Sequence, residues 1–294
     1  MEDRDHTGKT AYRELYEEGR KRLEEKHIPD ASLDARLLLE AVCGTTLQTL
    51  LVFPDKEVTA GEAEKYRTFL ERRENREPTA MILGEWDFMG RTFVLNKSTL
   101  IPEQDTECLV EMALEEVGAQ GRDREPLQVL DLCTGSGCIL LSLLHEWRSA
   151  SGLGTDLSME ALKAAEENVG RQGLSGRAAF LQGDLWDPVG DRTFDVIVSN
   201  PPYIPTEVIP TLEPEVCCGE PYAALDGGRD GLDFYRRIME RAAEHLNPGG
   251  MILVESGFDE AAQITDLMRA AGMEKIRVRK DYGGLDRVVY GIRG

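Results

Sequence analysis

The sequence predicts an α/β protein in which a small all-helical domain precedes a larger domain built on a mostly parallel β-sheet. From about Thr10 to Arg76, apolar residues recur at helical spacing and no strand pattern is evident. From Leu127 onward, β-prone runs alternate with amphipathic runs, which is typical of a parallel sheet covered by helices on both faces. The last β-prone stretch, Lys275 to Arg293, is interrupted by two glycines and predicts an antiparallel hairpin.

Three amphipathic segments define the helical domain, which we place at residues 1–76. The second segment has Ser32 as its expected N-cap and Gly44 as its expected C-cap. Thr59 is the expected N-cap of the third segment. The pattern fits a packing module and a partner-recognition module equally well.

Two short β-prone runs flank Gly90 after Pro78, so we interpret residues 77–100 as a hairpin linker. Residues 101–294 then form the larger domain. Its alternation of strands and helices runs from "LQVLDL" and "CILLSLLHEW" to "MILVES" and "DEAAQITDLMRAA". The alternation predicts that the carboxyl ends of several strands meet at one edge of the sheet.

Composition narrows the classes of function. The 294 residues suffice for about two domains, and no apolar run approaches the roughly 20 residues of a membrane span. The first ten residues are too polar for a signal peptide, so we expect a cytoplasmic protein without membrane contact. A net charge of -20 argues against direct nucleic-acid binding. The six cysteines and four histidines show no metal-ligand spacing, so we expect no metal site and buried, reduced thiols.

A glycine-rich turn, "CTGSG", separates the first strand of the larger domain from its helix. Gly135 and Gly137 allow a tight turn and close approach of a ligand. Asp156 ends the next strand, where a carboxylate can accept hydrogen bonds from both hydroxyls of a ribose. The turn matches neither GxGxxG nor the P-loop and contains no basic residue to meet a pyrophosphate. The pattern therefore favours a nucleoside without phosphates, and S-adenosyl-L-methionine fits.

Three more residues are candidates for contacting this ligand. Asp131, at the end of the first strand, could help to hold the ligand's ammonium group, directly or through water. Asp184 could accept a hydrogen bond from the adenine amino group, with Leu185 against the ring. A turn-capping role fits Asp184 equally well.

The run "FDVIVSNPPY" ends a buried strand with Asn200, Pro201, Pro202 and Tyr203. The two prolines lack N–H groups and stiffen the loop. The Asn200 side-chain oxygen and the Pro201 carbonyl could accept both hydrogens of a planar –NH2 group, on which Tyr203 could stack. Such acceptors would favour the positive charge that develops on the nitrogen during methyl transfer. The alternative, a turn needed only to stop the strand, does not account for the glycine turn and Asp156 upstream.

"SNPPY" with "DLCTGSG" resembles enzymes that methylate planar nitrogens of DNA adenine, rRNA guanine or protein glutamine. Further segments, including "SLDARLLLEAVCG", "LIPEQDTECLVEMAL" and "GGLDRVVYGIR", resemble the release factor glutamine methyltransferase family over nearly the whole chain. The resemblance implies a five-helix N-terminal domain that helps to dock the substrate, a hairpin linker and a Rossmann-like, seven-stranded methyltransferase domain. It also implies methylation of the glutamine nitrogen N5 in the Gly-Gly-Gln motif of peptide chain release factors, with S-adenosyl-L-methionine as cofactor.

The resemblance also implies the residues of the site. The implied cofactor-binding residues are Cys133, Thr134, Gly135, Ser136, Gly137, Asp156, Asp184, Leu185 and Asn200. The implied glutamine-binding residues are Asn200, Pro201, Pro202 and Tyr203, of which Asn200, Pro201 and Tyr203 are assigned to catalysis. We expect a monomer.

The chain departs from the family pattern at three positions. Glu103 stands where the family usually has Arg, and Gln104 replaces a proline of the family pattern. Cys133 replaces a glycine, and we expect this change to cost little because a small residue is still present. The first two changes leave open a cofactor-binding protein with altered activity. A nucleic-acid amino-methyltransferase with the same Asn-Pro-Pro-Tyr chemistry is a second alternative, disfavoured by the acidic charge. A ribosomal-protein glutamine methyltransferase, expected to carry a different N-terminal region, is a third.

Overall fold

A computed structural model of the protein describes residues 10–294, which form two compact units. One unit extends to Gly84 and includes Pro214–Gly219, and the other contains Glu85–Glu213 and Glu220–Gly294. Residues 1–9 of the predicted helical domain, which carry most of the polar N-terminal segment, lie outside the described residues.

Five helices and two very short strands make up the described part of the helical unit before Gly84. The elements are β1 (Thr10–Ala11), α1 (Tyr12–Glu25), α2 (Ala31–Cys43), α3 (Leu47–Val52), β2 (Glu57–Val58), α4 (Ala60–Glu74) and α5 (Thr79–Leu83). The five helices agree with the family resemblance. The expectation of no strand is wrong, because β1 and β2 pair antiparallel over two residues each, too few to give an alternating pattern.

The core of the helical unit is formed by the apolar faces of α1, α2 and α4. Leu15, Leu38 and Leu70 are fully buried there. Tyr66 is also buried, and its hydroxyl donates to the Ala35 carbonyl at 3.1 Å. A β-carbon on residue 19 would overlap this hydroxyl, so α1 and α4 can approach each other only because residue 19 is glycine.

Two of the three predicted helix caps are confirmed. Thr59 accepts from the Glu62 N–H at 3.2 Å, and the Glu62 carboxylate accepts from the Thr59 N–H at 2.9 Å. Gly44 ends α2 in the left-handed conformation, with φ of 55°. Ser32 is not the N-cap of α2, because the helix already starts at Ala31. The side chain of Ala31 is buried by this earlier start.

A buried ion network holds Pro214–Gly219 within the helical unit. Arg73, whose side chain is 6% exposed, donates to Asp34 at 2.7 Å and to Glu215 at 2.9 Å. Arg76 also contacts Glu215, at 3.1 Å. The second oxygen of Asp34 accepts from the Thr79 hydroxyl at 2.7 Å. The carboxylates of buried Asp34 and half-buried Glu215 are therefore satisfied by charged or hydroxyl donors.

The structure divides the chain after Gly84, whereas the sequence placed boundaries at 76–77 and 100–101. Ile82 of α5 is buried in the same core as Leu70, so α5 belongs to the helical unit. The roles assigned to the three predicted segments stay predictions.

The larger unit contains a seven-stranded sheet and a separate hairpin. In chain order its elements, with one short helix of the helical unit, are β3 (Glu85–Phe88), β4 (Arg91–Val94), α6 (Gln104–Ala119), β5 (Gln128–Leu132), α7 (Cys138–Glu146), β6 (Ser151–Asp156), α8 (Met159–Arg171), β7 (Ala178–Gln182), β8 (Phe194–Ser199), a 3₁₀ turn (Ile209–Thr211), α9 (Pro214–Cys217, in the helical unit), α10 (Tyr222–Leu225), α11 (Asp233–His245), β9 (Leu246–Glu255), α12 (Ala261–Ala270), β10 (Met273–Lys280) and β11 (Asp286–Arg293). As predicted, β3 and β4 pair antiparallel around Gly90.

The strand order of the sheet is β10-β11-β9-β8-β5-β6-β7. The five strands β5 to β9 run parallel, and β11 pairs antiparallel with β9 and β10, which confirms the predicted sheet and terminal hairpin. The chain leaves β5 toward β6 and returns on its other side at β8. Leu132 pairs with Thr155 on one side and Ser199 on the other, so the segments after β5, β6 and β8 meet at this switch point.

The structure also tests the expectation of buried, reduced cysteines and the search for a membrane span. All six cysteines are free, but Cys108 and Cys138 alone are buried, so the expectation of buried thiols is wrong for the other four. Within residues 10–294, no helix has both the length and the apolar character needed to cross a membrane.

Candidate active site

A cavity of about 460 Å³ opens at the carboxyl ends of β5, β6 and β8. The predicted residues that line it are Cys133, Thr134, Gly135, Ser136, Asp156, Asp184, Leu185, Asn200 and Pro202. Gly137, Pro201 and Tyr203 are not part of its lining. Among residues 10–294, no group of three or more histidine, cysteine or carboxylate side chains is placed to hold a metal ion.

Asp156 organises the glycine turn at the cavity wall. Its Oδ2 accepts from the Gly135 N–H and its Oδ1 from the Ser158 N–H, both at 2.9 Å. Burial raises the pKa of Asp156 above its ordinary value. A carboxylate has about four acceptor positions, so these two bonds leave capacity for ribose hydroxyls. Gly137 has a structural role, because φ is 79° and a β-carbon there would stand 3.2 Å from Phe180.

Asp131 lies behind the cavity wall. It is fully buried, and its Oδ2 accepts from the Thr134 hydroxyl at 2.6 Å. Its Oδ1 has no hydrogen-bond partner among residues 10–294, and burial raises its pKa to about 7. Thr134 lines the cavity, whereas Asp131 does not. The predicted contact of Asp131 with the ligand's ammonium group can therefore only be indirect, through Thr134 or a water molecule.

Cys133 stands where a glycine would be less strained. Its φ is 59°, in the left-handed region, where a β-carbon costs roughly 1–2 kcal/mol. The expected small cost of this departure is therefore too low. Desolvation of its sulfur, followed by the nearby Asp156 and Asp131 carboxylates, raises the pKa of the half-buried Cys133, so the thiol is protonated at neutral pH.

Asp184 has a partner that sequence reasoning missed. Arg237 of α11 approaches its Oδ2 at 2.7 Å. Arg237 and Phe234 both line the cavity, and the guanidinium lies 5.9 Å from the centre of the Phe234 ring. If Asp184 accepts a hydrogen bond from adenine, it must therefore do so with a carboxylate that is also paired with Arg237. The two α11 residues are three apart and so lie on one helix face, but the sequence does not say which face meets the cavity.

Asn200 directly follows β8 and is held by Thr106. The Asn200 Nδ2 donates to the Thr106 Oγ1 at 3.3 Å, and the Asn200 side-chain oxygen accepts no hydrogen bond from residues 10–294. No hydrogen bond within residues 10–294 uses the Pro201 carbonyl. Tyr203 is half-buried, and its hydroxyl lies 3.5 Å from Oε1 of Glu255. Desolvation holds the pKa of Tyr203 well above its usual value, so the ring stays neutral.

A glycine-rich segment supports the loop that carries Tyr203. Gly227 donates to the Ile204 carbonyl at 2.9 Å, and the Ile204 N–H donates to Leu225 at 2.9 Å. A β-carbon on Gly227 would stand 2.7 Å from the Tyr203 backbone, and one on Gly231 would overlap the Tyr203 carbonyl oxygen. Gly227 and Gly231 of "LDGGRDG" are therefore needed because the Asn-Pro-Pro-Tyr loop packs directly on them, whereas a β-carbon on Gly228 would overlap Asp233.

The segment with the two loop departures borders the cavity. Pro102 and Thr106 line it, and Glu103 is the N-cap residue of α6, with Gln104 as the first helical residue. Desolvation, followed by the nearby Asp105 carboxylate, raises the pKa of Glu103.

Comparison with known proteins gives matches along most of the chain. The PrmC N-terminal domain family matches residues 14–84, and the methyltransferase small domain family matches residues 107–210. The release factor glutamine methyltransferase of Caulobacter vibrioides is 43% identical over 92% of this chain and 93% of its own. That of Agrobacterium fabrum is 41% identical over 92% of this chain and 93% of its own.

A solved structure shares the fold. The T. thermophilus 16S rRNA N2 G1207 methyltransferase, in complex with AdoMet and guanosine, gives a TM-score of 0.51 at 18% identity. The match covers 71% of this chain and 50% of that chain.

Proposed function

This chain belongs to the release factor glutamine methyltransferase family, and we propose that it methylates the glutamine of the Gly-Gly-Gln motif in peptide chain release factors. The glutamine nitrogen N5 gains the methyl group as the bond between that methyl and the sulfur of S-adenosyl-L-methionine breaks, and N5 then loses one of its two protons. The observation that carries the proposal is the arrangement of Asn200, whose amide N–H is held by Thr106 while its oxygen remains available at the cavity.

The residues of the cavity fit the cofactor. Its volume lies within the roughly 300–1,000 Å³ of small-molecule sites. Asp156 retains acceptor positions for ribose hydroxyls, and Asp131 Oδ1, which has no hydrogen-bond partner among residues 10–294, lies behind Thr134. Arg237, the one basic residue that the described part of the chain contributes to the lining, is paired with Asp184 rather than free to meet a phosphate. When bound, the cofactor supplies an electrophilic methyl group.

The chain's own task is to make an amide nitrogen reactive. The lone pair of a primary amide is delocalised into the carbonyl group, so its nitrogen is a poor nucleophile. We assign the Asn200 oxygen and the Pro201 carbonyl to accept the two N–H hydrogens of the substrate glutamine. Fixed acceptors interact more strongly as positive charge develops on nitrogen, so they stabilise the transition state more than the ground state. We assign Tyr203, which is neutral and half-buried, to pack beside this group.

We assign the remaining predicted residues to support. Cys133 to Gly137 shape the cofactor turn, Leu185 and Asp184 border the base, and Pro202 keeps the loop stiff. We also propose that the enzyme acts as a cytoplasmic monomer without direct nucleic-acid contact, and that the helical unit takes part in docking the release factor. Light scattering of the purified protein tests the monomer, which a dimer mass would contradict.

The proposal is tested by comparing Asn200→Ala with Asn247→Ala. Asn247 also donates one side-chain hydrogen bond, to Asp195 at 3.2 Å, and it is not part of the cavity lining. Asn200→Ala should keep cofactor affinity within roughly tenfold and lose about 10²–10³ in transfer, the usual effect of removing one such polar contact. Asn247→Ala should retain transfer. Cofactor binding without transfer by the unmodified protein would instead favour the binding-protein alternative.

A further inference from the structure

The first turn of α6 bears three consecutive polar residues, Asp105, Thr106 and Glu107. Thr106 is buried, and its Oγ1 accepts from the Asn200 amide at 3.3 Å. The mechanism above uses this hydrogen bond but gives neither flanking carboxylate a role. Successive residues of a helix are about 100° apart around its axis, so the three side chains point in different directions. They can therefore contact three different parts of the larger unit.

Asp105 ties this turn to the C-terminal hairpin. Its Oδ2 lies 3.1 Å from the guanidinium of Arg287, which belongs to β11. The Arg287 side chain is 11% exposed and is itself held in place, because it also pairs with Asp281 at 3.0 Å and donates to the Ser256 carbonyl at 3.3 Å. Asp105 therefore pairs with a fixed, largely buried cation, which holds position better than a mobile surface side chain does.

Glu107 ties the same turn to the β3–β4 hairpin. Its Oε1 accepts from the backbone N–H of Met89 at 2.7 Å. Met89 lies in the turn between the two strands, where its φ is 51°. The turn of α6 is thus attached on one side to β11 and on another to this hairpin.

The position of the turn matters because the bond between Thr106 and Asn200 is long. Asn200 directly follows β8, and its side chain makes no other hydrogen bond within residues 10–294. A shift of Thr106 by roughly 0.5 Å away from Asn200 would lengthen the bond beyond hydrogen-bond range. The Asn200 amide could then rotate and present its N–H groups, rather than its oxygen, to the cavity.

We propose that Asp105 and Glu107 are positioning residues that hold the Thr106 hydroxyl where it orients the Asn200 amide. This inference rests on the proposed function. Each carboxylate anchors the first turn of α6, and Thr106 passes that position on to Asn200. Because a fixed acceptor stabilises the transition state more than the ground state, loss of either anchor lowers kcat more than it weakens binding.

The test uses the full-length protein with a release factor as substrate. Asp105→Ala and Glu107→Ala should each lower kcat about tenfold, because small displacements of a catalytic group reduce the rate strongly. The KM for the release factor and the cofactor Kd should stay within about threefold, since neither residue is part of the cavity lining that residues 10–294 form. Asp105→Asn and Glu107→Gln keep an acceptor oxygen for the same partner, so each should restore most of kcat.

A double-mutant cycle shows whether the two carboxylates act through Thr106. In a Thr106→Val background, Asp105→Ala and Glu107→Ala should each change kcat by less than about twofold, because residues that act through one contact are not additive. Glu115→Ala is the matched control. Glu115 also lies on α6 and pairs with an arginine of the same C-terminal hairpin, Arg279 at 2.9 Å, but further along the helix. This variant should retain kcat.

A kcat within about threefold of the unmodified enzyme for either alanine variant, or losses that multiply with that of Thr106→Val, would overturn the inference. If Asp105→Ala does not fold, the comparison of Glu107→Ala with Glu107→Gln decides. Equal losses in those two variants would also overturn it, because glutamine keeps the acceptor for Met89. No transfer by the unmodified protein contradicts the proposed function, whereas transfer that survives both alanine changes contradicts only the role of the α6 turn.

Discussion

The support of the Asn-Pro-Pro-Tyr loop by glycines can be tested by Gly231→Ala with Gly249→Ala as its control. The two glycines have nearly the same positive φ, 77° for Gly231 and 75° for Gly249. No atom of residues 10–294 lies within 4 Å of a β-carbon on residue 249, whereas one on residue 231 would overlap the Tyr203 carbonyl oxygen and the Glu260 carboxylate. The two variants therefore share the strain of a positive φ and differ in the overlap.

The magnitudes follow from this difference. An alanine with positive φ costs roughly 1–2 kcal/mol in both proteins. The overlap with a backbone carbonyl adds about 1–3 kcal/mol at residue 231 alone, because the Tyr203 peptide must move. We also expect kcat of Gly231→Ala to fall about tenfold as Tyr203 shifts, with unchanged cofactor affinity, since Asp156 and Gly135 are not touched.

Urea denaturation gives the free energies of unfolding, and a methyl-transfer assay gives kcat. If Gly231→Ala is no less stable than Gly249→Ala and equally active, then the glycine segment does not support the loop and the reasoning is refuted.

Two further predictions concern stability. Arg73→Ala should lower the free energy of unfolding by about 3–5 kcal/mol, because Asp34 and Glu215 lose their buried cation. The control Arg13→Ala, which breaks an exposed pair with Asp55, should lower it by under about 1 kcal/mol in the same urea titration. Equal losses in the two variants would contradict the role of the network. Burial raises the pKa of Glu260 from 4.5 to about 7, so its contribution to stability is full below pH 4.5 and is lost as the pH rises through 7. The stability of the unmodified protein relative to Glu260→Gln should therefore fall between pH 5 and pH 8 by at most about 3 kcal/mol, and a constant difference would be inconsistent with this assignment.

Residues at strand ends could be predicted from the sequence. Asp156 and Asn200 each follow a clear β-prone run, and a parallel sheet brings such positions to one edge without further information. The glycine turn was recognisable for the same reason, since Gly135 lies between a strand and its helix. The family resemblance then added the chemistry of the Asn-Pro-Pro-Tyr loop.

The supporting contacts could not be predicted in this way. Thr106 and Asn200 are 94 positions apart, and Tyr203 and Glu255 are 52 apart. Their proximity depends on the order of β9, β8 and β5 in the sheet, which local patterns do not encode. Short elements were missed for a different reason: a strand of two residues, such as Glu57–Val58, cannot show an alternating pattern.

We propose above all that Asn200 directs methyl transfer to a release-factor glutamine. Its most direct test is mass spectrometry of a peptide chain release factor after incubation with this protein and S-adenosyl-L-methionine. We predict one added methyl group on the glutamine of the Gly-Gly-Gln peptide, present with Asn247→Ala and absent or strongly reduced with Asn200→Ala. An unmodified glutamine despite intact cofactor binding, or full methylation by Asn200→Ala, would contradict the account.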